Sequence, residues 1–174
     1  MCPRDRLCAT FLLQIEIINI KYMTSVLFIC LGNICRSVTA EEVFRTMVKR
    51  AGREKEFEID SAGLIDYHEG ELADSRMRQH AFAHGYKLTH RSRPVTPADF
   101  RRFDLIVAMD DNNVKGLKAV AANAAECDKI VLMADYLREH DHTYVPDPYY
   151  GVAEDFELVI ELLEDACQGL LDTL

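Results

Sequence analysis

A single α/β domain, a doubly wound four-stranded parallel sheet with helices on both faces, is the fold that three features of this 174-residue chain predict. Short runs such as Ser25-Val26-Leu27-Phe28-Ile29 and Leu105-Ile106-Val107-Ala108-Met109 lack polar alternation, which marks strands buried on both faces. Stretches with apolar residues three and four apart lie between them, and alternating strands and helices imply right-handed βαβ crossovers. The length suffices for one real core and falls short of two.

Taken in order, residues 25–29 form the first strand, which ends in a glycine-containing turn. Residues 38–52 then repeat Ala40, Val43, Phe44, Met47, Val48 and Ala51 at helical spacing, with Gly52 ending the helix. Phe57-Glu58-Ile59-Asp60 is a short second strand, followed by a turn at Ser61-Ala62-Gly63. Asp74 or Ser75 caps a helix to His84, with Gly85 just beyond. Thr96-Pro97-Ala98-Asp99 starts another, with a threonine cap, a proline in first position and an acid in the first turn. The strand at 105–109 precedes a helix capped by Asp110 or Asp111, and 129–132 is the fourth strand. After a polar loop through Pro146 and Pro148, a final helix buries Phe156, Val159, Ile160, Leu163, Cys167, Leu170 and Leu171. Such sheets carry their sites at the carboxyl ends of the strands, where Cys30, Ser61 and Met109-Asp110 fall.

Residues 1–22 are expected to be an N-terminal extension outside a domain of 23–174, with Met23 as a natural initiator. Residues 11–20 are apolar, but Gln14, Glu16 and Asn19 interrupt them and no small-residue cleavage site follows, which disfavours a signal peptide. The stretch is too short and polar to span a bilayer. The net charge of −9, without a basic run, argues against a nucleic-acid partner. Six cysteines, at 2, 8, 30, 35, 127 and 167, show neither a disulfide framework nor a metal-binding spacing, which suits free thiols in the cytoplasm. His140-Asp141-His142 lacks a companion ligand cluster and reads as a solvated loop, so no metal is expected.

The chemistry concentrates in Cys30-Leu31-Gly32-Asn33-Ile34-Cys35-Arg36-Ser37, at a strand-to-helix junction. A short loop curling into a helix points several N–H groups inward, and the helix dipole adds positive potential. Arg36 brings a planar, permanently charged fork to two phosphate oxygens. The thiolate is the reactive form of a cysteine, and a positive field at the base of such a pocket favours it. Gly32 relieves the loop where a Cβ would clash or φ must be positive, and Asn33 tolerates the left-handed region. An isolated Cys-x5-Arg is a loose pattern, more often a buried cysteine and a surface arginine. Here the strand, glycine, asparagine, serine and helix all fall where a phosphate pocket needs them. That assigns Cys30 as nucleophile, residues 31–36 and Arg36 as the phosphate cradle, and Ser37 as a hydroxyl donor to the Cys30 sulfur.

These residues resemble the low-molecular-weight protein tyrosine phosphatase family. So do Asp60-Ser61-Ala62-Gly63, Asp74-Ser75-Arg76, Thr89-His90-Arg91-Ser92-Arg93, the segment from Asp104 to Asp110, and Asp147-Pro148-Tyr149-Tyr150-Gly151. The family usually has proline where this chain has Val38. The resemblance implies phosphotyrosine hydrolysis through a cysteinyl-phosphate intermediate, without metal or cofactor. It implies Asp147 as general acid, then base, and Asn33, Ser61 and His90 as a network bracing the loop. It places Tyr67, Tyr149 and Tyr150 at an aromatic rim, and makes the partner a phosphotyrosine protein, with this chain a monomer or weak homodimer. A thiol-dependent arsenate reductase shares fold and loop but needs further cysteines, and none lies between Cys35 and Cys127. A phosphoarginine phosphatase usually carries threonine where this chain has Ile34. Cys35 reads either as a small buried filler or as a thiol that traps oxidised Cys30 as a disulfide.

Overall fold

A computed structural model describes residues 23–174; the predicted extension, 1–22, lies outside the described residues. Four parallel strands, β1 (Thr24–Cys30), β2 (Phe57–Gly63), β3 (Leu105–Ala108) and β4 (Ile130–Leu132), form one sheet in the order β2-β1-β3-β4. The strand order reverses beside β1, the feature that makes the sheet doubly wound. The helices are α1 (Arg36–Arg50), α2 (Ser75–Ala83), α3 (Pro97–Arg102), α4 (Asp111–Val120), α5 (Ala124–Cys127) and α6 (Ala153–Thr173).

Side chains alternate across β1, and each face finds its own core. Val26, Phe28 and Cys30 join Phe44 of α1, Met77 of α2 and Phe156, Val159 and Ile160 of α6. Leu27 and Ile29 join Phe100 of α3 and Leu117 of α4 on the other face. Because both faces are covered, no polar side chain is tolerated in the middle of β1, which is why it reads as an uninterrupted apolar run. Phe44 meets Phe28 and Phe57 edge-on, with ring centroids 5.7 and 5.5 Å apart, locking α1 against β1 and β2. Cys167 is core, as its position in the α6 repeat predicts.

Three elements differ from the sequence reading. Residues 61–63 are strand rather than turn, because β2 stays in register with β1 as far as Cys30 opposite Gly63. Helix α1 starts at Arg36, two residues early, so Arg36 and Ser37 occupy its first turn and Val38 packs into the core. The small helix α5 has no apolar stripe to announce it; Asn123 caps it by accepting from the Glu126 N–H at 2.9 Å. His140 is not simply solvated: its Nδ1 lies 2.9 Å from Asp165, which also accepts from three backbone N–H groups of residues 138–140.

Candidate active site

The turn from β1 into α1 sits where the strand order reverses, with the end of β3 beside it. Asn33 takes φ 56°, the left-handed conformation its residue type tolerates. Gly32 does not have a positive φ, and a Cβ there would come 3.2 Å from the His68 ring, a tight contact to which the ring would have to yield. Gly63 is the tighter requirement: a Cβ would sit 2.9 Å from the Leu31 carbonyl oxygen, so the turn rests directly on the end of β2. Backbone bonds from Leu64 N to Cys30 O (3.0 Å) and Ile65 N to Leu31 O (3.1 Å) hold it there.

A cleft of about 340 Å³ opens above this turn. It is lined by Cys30, Leu31, Gly32, Ile34, Cys35, Arg36, Asp147, Tyr67, Tyr149 and Tyr150, all singled out from sequence, and also by Ile65 and His68. Tyr150 and Tyr67 stand almost free at its rim, and Tyr149 meets Tyr150 edge-on at 4.9 Å.

Arg36 is buried, and its guanidinium is spoken for on one side. Nη1 donates to Asp110 (2.5 Å) and to the Val145 carbonyl (3.1 Å), and Nη2 donates to Asp147 (2.8 Å). Nε is buried with no partner among the described residues. Burial alone would pull the guanidinium's pKa down, but the negative charges of Cys30, Asp147 and Asp110 outweigh it and raise it. The cation is therefore permanent, and a phosphate oxygen is a fitting acceptor for Nε.

Behind the turn lies a chain of hydrogen bonds whose direction one backbone group sets. The Arg93 N–H can only donate, so the Asn33 atom it meets at 3.1 Å is Oδ1. Asn33 Nδ2 then donates to both Ser37 Oγ and Ser61 Oγ, each at 2.9 Å. Ser61 donates to buried Glu41 at 2.6 Å, and Ser37 Oγ, accepting from Asn33, keeps its O–H free for Cys30 Sγ, 3.0 Å away. His90 closes the network, with Nε2 3.1 Å from Asn33 Oδ1 and Nδ1 3.2 Å from Glu41. Thus Asn33 and Ser37 act from behind the loop rather than lining the cleft, beside Ser61 and His90.

The family model described as low molecular weight phosphotyrosine protein phosphatase matches residues 25–174. The chain belongs to that family. It is 42% identical over 152 residues to the low molecular weight protein-tyrosine-phosphatase of Streptomyces coelicolor, covering 84% of this chain and 90% of that one. It is 40% identical over 149 residues to the low molecular weight phosphotyrosine protein phosphatase of Gallus gallus, covering 85% and 94%. A crystal structure of a protein tyrosine phosphatase from Entamoeba histolytica superposes with a TM-score of 0.84 at 43% identity, covering 86% of this chain and 96% of that one.

Four residues of this phosphatase's site were given no role there by the sequence reading, among them Ile65 in the cleft wall. Asp110 reads from sequence as a helix cap, and it is one, accepting from Asn113 N at 2.8 Å; its second oxygen holds Arg36. Glu41 could have been noticed as an acid on the buried face of α1, one turn after Ser37. His68 had no signal beyond following Tyr67; its Nδ1 meets Glu71 at 2.7 Å and its ring roofs Gly32. Among the described residues, metal-type donors converge within 4.8 Å at Glu41, Asp60 and His90. There Arg45 already neutralises Glu41 and Arg93 neutralises Asp60, at 2.5 and 2.9 Å, so the group reads as the brace of the loop.

Proposed function

We propose that this phosphatase hydrolyses phosphotyrosine in proteins, with Cys30 as nucleophile, Arg36 and the N–H groups of residues 31–36 as phosphate cradle, and Asp147 as acid and base. The observation that supports it most is that Asp147, distant in sequence, lies in one cleft with Cys30 and Arg36 and bonds to Arg36 Nη2. Phosphate oxygens on Nε and Nη2 would bring the ester oxygen beside that carboxyl group. The Cys30 sulfur attacks phosphorus in line, the bond from phosphorus to the aryl oxygen breaks, and Asp147 gives its proton to the departing oxygen. Arg36 and the N–H groups stabilise charge moving onto the equatorial oxygens. Water then gives a proton to Asp147 and attacks phosphorus; the sulfur leaves, its returning charge met by the Ser37 O–H. The free thiols Cys30, Cys35, Cys127 and Cys167 suit a cytoplasmic setting, and no helix among the described residues is long and apolar enough to cross a membrane.

Ile34, nearly buried in the cleft wall, supports an aromatic ester over phosphoarginine, because an apolar wall does nothing for a guanidinium. Wild type is expected to turn over phosphotyrosine at least about tenfold faster than phosphoarginine, consistent with a difference of ~1.4 kcal/mol, and to leave arsenate unreduced. Ile34→Thr should narrow that ratio. A wild type that prefers phosphoarginine, or that reduces arsenate with thiols, overturns this substrate class.

Cys35 shares the cleft with Cys30. Burial, then the negative charge of Cys30, push its thiol pKa well up. Oxidation of Cys30 by peroxide to the sulfenic acid gives Cys35 a partner in the same loop, and the thiol can condense with it, forming a disulfide and releasing water. Activity lost to peroxide should return with dithiol in wild type and stay lost in Cys35→Ser. Equal recovery in both would leave Cys35 as core filler.

A further inference from the structure

Arg76, in the first turn of α2, makes more contacts than a surface arginine needs. Its Nε and Nη2 grip Asp74 at 3.0 and 2.9 Å, and Nη2 also donates to the Tyr149 carbonyl at 3.0 Å. The guanidinium carbon lies 5.6 Å from the Tyr149 ring centroid and 4.9 Å from that of Phe156, a buried residue of α6. At its other end Asp74 is tied to the phosphate turn, its N–H donating to the Ile34 carbonyl at 2.8 Å. Tyr149 in turn donates its N–H to Asp147 Oδ1 at 3.2 Å. A continuous path therefore runs from the turn through Asp74 and Arg76 to Tyr149 and Asp147.

We propose that Arg76 is a positioning residue for proton transfer, holding the loop of Asp147 at a set distance from the phosphate-binding turn. The inference rests on the acid role of Asp147. An exposed ion pair alone contributes little. Here the planar fork is fixed by a carboxylate, a carbonyl and two aromatic faces at once, which a lysine cannot reproduce. Proton transfer needs heavy atoms within about 3.2 Å, and a misplacement of about 1 Å costs up to ~100-fold. The segment it holds is short, bracketed by Pro146 and Pro148, and precedes α6, so the Tyr149 contacts bear directly on where Asp147 sits.

The test compares kcat/KM for phenyl phosphate, a poor leaving group, with p-nitrophenyl phosphate, a good one, of similar size at the aromatic rim. Arg76→Ala should lower the first about tenfold and the second less than about twofold. Arg76→Lys should recover less than half of that loss, and folding of both is checked by thermal melts. On an Asp147→Ala background, Arg76→Ala should cost less than about twofold on either substrate, because the group it positions is gone. Equal losses on both substrates, or the full loss on that background, would overturn the positioning role. If Asp147→Ala itself shows no contrast between leaving groups, the acid assignment falls, and the inference with it.

Discussion

Cys30→Ser is expected to lower kcat for aryl phosphates by at least about 10⁴-fold, as removing a nucleophile does where cradle and acid remain. A serine hydroxyl at this position is a far weaker nucleophile, and its alkoxide, much more basic than a thiolate, leaves poorly even beside the Ser37 hydroxyl that lies 3.0 Å from the sulfur. The cradle is untouched: Arg36 keeps its bonds to Asp110 and Val145, and the turn keeps its backbone bonds to Leu64 and Ile65. Inorganic phosphate should therefore bind within about threefold of wild type by calorimetry, a change below ~1 kcal/mol. Acid-free quenching of wild type during turnover should leave phosphate on the peptide that carries Cys30. More than about one percent residual activity in the serine variant, or phosphate on another residue, would remove Cys30 from the role.

The next largest effect is expected from Asp147→Ala, and it should depend on the leaving group. For phenyl phosphate kcat/KM should fall about 10²- to 10³-fold, the usual worth of a positioned acid. For p-nitrophenyl phosphate, whose oxygen leaves without a proton, the fall should be below about tenfold. The contrast belongs in kcat/KM, which reports bond cleavage to the aryl oxygen; loss of the base on water lowers kcat for every substrate alike. Arg36 also loses one of its two carboxylate partners, but Asp110 still holds it, so phosphate affinity should be steady or tighter. Equal losses across a series of phenols would show that Asp147 serves only to balance the Arg36 charge.

Much of the fold was legible because burial writes itself into residue order. In β1 every residue from Val26 to Ile29 faces one of two covered cores, so an unbroken apolar run of strand length, closed by a glycine-containing turn, reads as an interior strand. The site's centre was legible for a related reason: Cys30, Gly32, Asn33, Arg36 and Ser37 serve one tight turn, and neighbours in sequence are there neighbours in space. Where local pattern misled, pairing was the cause. Ser61, Ala62 and Gly63 look like a turn by composition, yet they are strand because Gly63 lies opposite Cys30 and has no Cβ to strike the Leu31 carbonyl.

By itself, then, the sequence determined the parallel sheet, its two covered faces and the phosphate-binding turn, all set by spacing within one element or across one junction. Tertiary structure alone decided which distant groups complete the site. Asp110 reaches Arg36 because β3 ends beside β1 in the order β2-β1-β3-β4. Glu41 becomes an acceptor for Ser61 because α1 packs over β2, and Arg76 meets Tyr149 because α2 packs against α6, the helix that the Tyr149 segment leads into. A carboxylate or guanidinium on a polar stretch looks the same in sequence whether water or another element covers it; only the crossovers that stack the elements settle which one does.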